Sequence, residues 1–204
     1  MHRRDLLEKL RRHRPLDDRE RDSLDRIVAF VRGNADCFAR SLSIGHITGS
    51  AWLLDPSGQR ALLTHHRKLG MWLQLGGHAD GEPDVLAVAL REAREESGLA
   101  LIEPIHHDIF DVDVHDIPGR PGEPEHVHYD VRFLLKAVED ASLRVSEESL
   151  DLTWVTVDGL ARLDVDDSVR RMGCKWRVWA EQTGRNPESV ARPRAVLRER
   201  RYNP

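Results

Sequence analysis

Two stretches near the amino terminus, 3–13 and 17–33, place apolar residues at helical spacing. In the second, Leu24, Ile27, Val28 and Val31 form one stripe, and Gly33-Asn34 supplies a stop. From residue 44 the period changes. Ile47 to Leu54 reads as a strand, Asp55-Pro56-Ser57-Gly58 as a turn, and Ala61 to Thr64 as the returning strand of a hairpin. Residues 109–115 and 127–137 alternate strictly: Phe110, Val112 and Val114 oppose Asp111, Asp113 and His115, while Val127, Tyr129, Val131, Phe133 and Leu135 oppose His128, Asp130 and Arg132. That pattern predicts two strands with a half-exposed polar face. Between them, Asp116 to Glu125 contains Pro118, Gly119, Pro121, Gly122 and Pro124, so it reads as a loop, either a lid over a ligand or a long hairpin end. Trp154 to Val157 predicts a last strand, and 166–182 a last helix that buries Val169, Met172, Trp176 and Trp179. From Gly184 on, six arginines and two glutamates follow no period, the mark of a free tail or of a short helix docked on a partner.

The middle of the chain carries the chemistry. Pro83 suits the first position of a helix, where its missing N–H costs nothing, and Asp84 puts negative charge at the positive end of the helix dipole. Gly98 suits a left-handed cap, and Leu86, Leu90 and Ala93 form the face that packs down. The same helix holds Glu92, Glu95 and Glu96, and Glu92 neighbours both of the others by the i,i+3 and i,i+4 spacings. At separations of roughly 6 Å and an effective dielectric near 20, each pair repels by about 3 kcal/mol. Such a face is either well solvated or neutralised, and all-oxygen ligands favour a hard ion, Mg2+ or Mn2+. Arg91 stands four residues before Glu95 and can pair with it.

The run from Gly77 to Leu99 closely resembles the Nudix box, the signature of the Nudix hydrolase superfamily. Gly77, Arg91, Glu92, Glu95, Glu96, Gly98 and Leu99 fall in register with it, and Ala93 is small where the box takes an aliphatic or small residue. One position departs, since Pro83 stands where the early glutamate belongs and Glu82 lies one place before it. Trp72 precedes the glycine pair as it often does in the family, with Leu75 where a proline is common. The resemblance implies an α/β fold, a Nudix-type α/β/α sandwich with a mixed β-sheet, extended at its amino terminus by helices. On that reading residues 1–42 are the helical extension, 43–183 the hydrolase domain and 184–204 a basic tail, one globular domain overall.

The resemblance also implies a Mg2+-dependent pyrophosphohydrolase, with Mn2+ as a substitute, that cleaves a phosphoanhydride bond in a nucleoside diphosphate derivative or similar small molecule. Glu92, Glu95, Glu96 and the Gly77 carbonyl would hold the metal. Glu95 is the base candidate within the box, Glu147, Glu148 and Asp151 are candidates outside it with Glu148 foremost, and Arg91 would orient a glutamate. Arg120 is placed for phosphate, and His128 and Tyr129, with Trp52 and His65, for the rest of a substrate. A regulatory Nudix-fold protein that binds nucleotides without cleaving them is the alternative; such proteins commonly lose box glutamates, and all three stand here. Isopentenyl diphosphate isomerase shares the fold but depends on a reactive cysteine near the site, and neither Cys37 nor Cys174 lies there.

Composition narrows the picture further. At 204 residues the chain can bury one full core. Charged residues make up 32% but the net charge is only -4, which gives no electrostatic reason to expect nucleic acid as a partner. Two isolated cysteines suggest neither a disulfide framework nor a Cys-rich metal site, and point to the cytoplasm. No apolar run reaches the roughly 20 residues a membrane helix needs, and the arginine-rich start lacks the apolar core of a signal segment. Imidazole pairs recur at His65-His66, at His106-His107 and at His115 with His126 and His128, yet no set of four for zinc emerges, and an ordinary polar face or a substrate contact is the expectation. Whether the first helices pack on the core or mediate a homodimer is open.

Overall fold

The computed structural model describes residues 2–184 apart from 121 and 123, so the arginine-rich tail lies outside the described residues. Helices α1 (Arg4–Arg12) and α2 (Asp18–Gly33) come first; Asp17 caps α2 by accepting a hydrogen bond from the Glu20 N–H. They are followed by β1 (Gly45–Leu54), β2 (Ala61–His66), β3 (Trp72–Leu73) and β4 (Leu75–His78), then helix α3 (Val85–Ser97). After it come β5 (Ile102–Pro104), β6 (Asp111–Ile117), β7 (His126–Ala137), β8 (Ser149–Val155), a short 3-10 turn and helix α4 (Asp167–Gln182).

The strands form one mixed sheet in the order β3-β2-β1-β7-β5, with β4 also on β1, β6 on β7 and β8 on β2. The β1–β7 pair is parallel and runs from Gly45 opposite Val127 to Leu54 opposite Lys136; every other pair is antiparallel. Alternation along β1 decides what each face meets. Ile47, Ala51 and Leu53 join Val131, Phe133 and Leu135 in a core closed by Leu6 and Leu10 of α1, Ile27, Phe30 and Val31 of α2, and Leu86 and Ala89 of α3. Trp52, Leu54 and Leu134 point the other way, onto Val169, Met172 and Trp176 of α4. Helices therefore cover both faces, and this is the expected α/β/α sandwich. The first two helices are part of the main core, since burying their stripes removes the same apolar surface from water as any core helix does.

Three details differ from the sequence reading. Strand β8 begins at Ser149, where it pairs with His66, and ends at Val155, earlier than Trp154 to Val157. Strands β3, β4 and β5 have two, four and three residues, too short to show a period. Most informative is the polar face of β6 and β7, which is buried at one end, where Asp111, Asp130 and Arg132 are at most 2% accessible, and partly exposed at Asp113, His115 and His128. There Arg132 Nε donates to Asp130 Oδ2 at 2.7 Å and Nη1 to Asp111 Oδ1 at 3.1 Å. Arg171 of α4 donates to both Asp111 oxygens at 2.9 Å and to the Val112 carbonyl at 2.9 Å. Lys175 donates to Phe110 O at 2.9 Å and to Glu20 of α2, which also meets His13 Nε2 at 2.7 Å. Burial pushes the Glu20 carboxyl up, but the His13 hydrogen bond and the Lys175 charge outweigh it and hold the acid at about 2. A charged network, not solvent, lies under the polar face.

Candidate active site

Helix α3 starts one cap later than its proline suggested. Asp84 is the N-cap, its Oδ1 accepting from the Leu86 and Ala87 N–H groups at 3.2 and 3.3 Å, and Pro83 precedes the helix. Glu82 accepts from the Asp84 N–H at 2.9 Å, so it supports the turn into the helix. Gly98 ends α3 with φ 75°, the left-handed region that favours glycine. Val85, Leu86, Val88, Ala89 and Ala93 pack down, which turns Glu92 and Glu96 toward β4 and the glycine pair. The approach there is close: a Cβ on Gly77 would stand 2.5 Å from the Glu92 carboxyl carbon. Only glycine leaves room for that carboxylate against the backbone.

These groups open onto a cleft of about 380 Å3, large enough for a nucleotide-sized ligand. Glu92, Glu96, Gly76 and Gly77 form one wall, and Glu148, just before β8, reaches in from another. The floor is the polar end of β1 and β7, where Asp130 accepts from Thr48 Oγ1 at 2.9 Å, Ser50 Oγ at 2.7 Å and Gln74 Nε2 at 3.2 Å. Basic side chains of Arg40, Lys68 and Arg120 line the cleft. Arg120 sits in the hairpin end between Ile117 and His126, which are register partners, so the proline-rich segment closes a long hairpin.

The acids are not equivalent. Arg91 Nη2 donates to Glu92 Oε1 at 2.7 Å and to the His78 carbonyl at 2.7 Å; the expected partner on the next turn was Glu95. Glu92 is still pushed up, by burial first and then by Glu95 and Glu148, against the pull of Arg91. Glu96 is pushed further, up to about 8, by burial and by the charges of Glu92, Glu148 and Glu95, with the Gly76 N–H opposing. Its Oε2 is buried with no hydrogen-bond partner. A buried carboxylate oxygen without a donor, among like charges, is the situation a bound divalent cation resolves. The carboxylates present fit a hard ion.

Other expectations divide. Glu95 is exposed and is not among the groups that line the cleft. His128 and Arg120 do line it. Tyr129 lies on the opposite face of β7, stacked on Phe30 of α2 with centroids 3.8 Å apart and planes at 8°, and so belongs to packing and not to a ligand site. Trp52 is fully buried, and His65 stacks on Trp72 outside the cleft. Glu147 and Asp151 flank the cleft wall without lining it. Two histidines that the sequence reading passed over, His46 and His78, stand beside His128. Their signal was the alternation of β1 and the residue after the glycine pair, but only the register of β1 on β7 and β4 brings them together.

A mixed sheet between helices, with an acid-bearing helix packed against a glycine pair, is the frame of the site. The family model for the NUDIX domain matches residues 46–174, and the chain belongs to that family: it is a Nudix hydrolase, an enzyme acting on acid anhydrides. No curated protein matches it in sequence. Among solved structures it is similar to an Ap4A hydrolase of C. elegans in a binary complex, at 15% identity and a TM-score of 0.55, over 67% of this chain and 98% of that one. A NUDIX-family hydrolase from Clostridium perfringens aligns at 21% identity and a TM-score of 0.49, over 66% and 97% of the two chains. Among the described residues no helix is long and apolar enough to cross a membrane.

Proposed function

We propose that the protein is a Mg2+-dependent pyrophosphohydrolase that cleaves a phosphoanhydride bond in a nucleoside diphosphate derivative. The observation that carries this is the buried, unpartnered Oε2 of Glu96 beside Glu92 and Gly77 in a cleft that also presents Arg40, Lys68 and Arg120. Glu92 and Glu96, with the Gly77 carbonyl, would hold the ion. When bound, a divalent ion supplies charge neutralisation at the diphosphate and lowers the pKa of the attacking water. Arg91 holds the Glu92 carboxylate against the glycine strand, so its aim is set before substrate arrives. Arg120 and Lys68 offer positive charge to the phosphate oxygens.

Glu148 is assigned as the general base, ahead of Glu95, because both are exposed but only Glu148 lines the cleft. As the water oxygen bonds to phosphorus and the bridging P–O bond breaks, its proton passes to the Glu148 carboxylate, and the bridging oxygen leaves on the second phosphate. A base changes turnover more than binding. Glu148→Gln is therefore expected to lower kcat by roughly a hundredfold or more with KM little changed. If Glu95→Gln loses that activity and Glu148→Gln keeps it, the base is Glu95. The activity itself is tested on nucleotide sugars, dinucleoside polyphosphates, ADP-ribose, NADH and nucleoside triphosphates with Mg2+ or Mn2+, the nucleotide products being resolved by chromatography. Binding of a nucleotide with no turnover across that set would make this a non-catalytic Nudix protein. The free thiols of Cys37 and Cys174 fit a cytoplasmic setting.

A further inference from the structure

At one end of the cleft, where β1, β4 and β7 meet, His46, His78 and His128 form a triangle. Their ring centroids are 5.0 Å apart on all three sides, and one ring nitrogen from each lies within 4.8 Å of the others. The sheet builds this triangle: His46 and His128 are register partners across the parallel pair, and His78 lies opposite Thr48, two residues along β1. His46 is only 2% accessible, and neither of its ring nitrogens has a hydrogen-bond partner in the described structure. Burying an imidazole without a well-formed hydrogen bond at either nitrogen costs free energy, which the Leu42 backbone beside the ring returns only in part. A polar group in that state calls for a ligand.

We propose that His46, His78 and His128 form a second metal centre, chemically separate from the carboxylates, that takes Zn2+ or a similar borderline transition-metal ion. Imidazole is the donor such ions prefer, whereas Mg2+ selects oxygen. A further imidazole stands ready beside the three. His126 Nδ1 lies 2.8 Å from the Pro124 carbonyl, and since a carbonyl only accepts, that nitrogen carries the proton. Its Nε2 is then a bare lone pair, 3.2 Å from His128 Nε2. Two ligands on a tetrahedral zinc with Zn–N bonds of about 2.0–2.1 Å stand about 3.3 Å apart. Behind them, His115 Nδ1 lies 3.2 Å from Asp113 Oδ2, in a carboxylate–imidazole pair next to the cluster. Because His78 follows Gly77 directly, this centre would sit one residue from the phosphate-handling end of the cleft. It does not depend on the hydrolase reading.

The test uses the full-length chain without a histidine tag, stripped by chelator and dialysed against Zn2+ in excess Mg2+, with bound metal measured by mass spectrometry. One Zn2+ per chain is expected to remain. His46→Gln and His128→Gln should each weaken Zn2+ binding by roughly a hundredfold or more, at least the loss seen when only an outer partner of a metal site is removed. The double variant Glu92→Gln/Glu96→Gln should bind Zn2+ as the wild type does. Because a histidine variant could misfold, Co2+ added to the wild-type protein gives an independent readout: visible absorption bands of four-coordinate, nitrogen-ligated cobalt. No retained Zn2+, a Co2+ spectrum of six-coordinate aquo type, or zinc binding lost in the glutamate variant would each overturn the proposal.

Discussion

Two groups of acids flank or occupy the same sheet and differ in one respect. Around Asp111, every carboxylate meets a cation: Arg132, Arg171 and Lys175 answer Asp111, Asp113, Asp130 and Glu20. Around Glu96, the acids Glu92 and Glu148 answer one another with more negative charge, and Arg91 serves Glu92 alone. The consequences run in opposite directions, with Glu20 held at about 2 and Glu96 pushed up to about 8. Burial acts on both in the same sense, so the difference is the charge placed beside each acid. A neutralised group of acids is part of the framework, and an unneutralised one is a place where the chain has left room for a cation to arrive.

The sharpest way to break that contrast is to remove the framework's central cation. Arg132→Met leaves Asp130 buried with only the neutral donors Thr48, Ser50 and Gln74 and takes one cation from Asp111, which keeps Arg171 and Lys175; it is expected to cost about 3–5 kcal/mol, a fall in Tm on the order of 10 °C, read by thermal unfolding. Glu96→Gln should do the reverse. Activity with Mg2+ is expected to fall by roughly a hundredfold, close to 3 kcal/mol of barrier, while Tm in metal-free buffer stays level or rises because a carboxyl whose charged form burial disfavours is replaced by a neutral amide. A lower metal-free Tm for Glu96→Gln would break the comparison.

Acid titration tests the same contrast more gently. Since the folded Glu20 carboxyl is depressed from 4.5 to about 2, its contribution is complete above 4.5 and is lost as pH falls from there toward 2. Unfolding free energies measured across that window should drop by on the order of 2 kcal/mol more in the wild type than in Glu20→Gln. The smallest effect concerns the other face of the sheet. Tyr129→Leu removes the stack on Phe30 and should cost about 1 kcal/mol of stability with kcat and KM unchanged. A change in KM would return Tyr129 to the ligand site.

The parts of the fold that were readable from the sequence are those whose signals are local. The cap at Gly98 and the spacing of Glu92, Glu95 and Glu96 belong to one helix, so one stretch of chain carries them. Alternation along β7 already put Tyr129 and His128 on opposite faces, so both could not serve one cleft; Phe30, a hundred residues away in sequence, settles which face each took. The same alternation could not distinguish water from α4 as the neighbour of Asp111 and Arg132. A strand of polar and apolar residues in turn looks alike whether its polar side is wet or roofed by Arg171 and Lys175. Likewise, nothing near His46 in sequence announces His128; 82 positions and the β1–β7 register separate them.

The link between Glu20 and Lys175 spans 155 residues and ties the second helix to the last one. During synthesis the amino-terminal helices leave the ribosome long before α4 exists, so Glu20 waits without its cation, with His13 and the Leu16 N–H as its early partners. Ten rungs of parallel pairing between β1 and β7 wait in the same way for the intervening chain to close. The polar floor of the cleft is therefore assembled late, after nearly the whole chain has been made. Early fragments ending before α4 carry the glutamates of α3 but not the closed framework beneath them, and the nascent chain passes most of its synthesis with its acids in place and its counter-charges still to come.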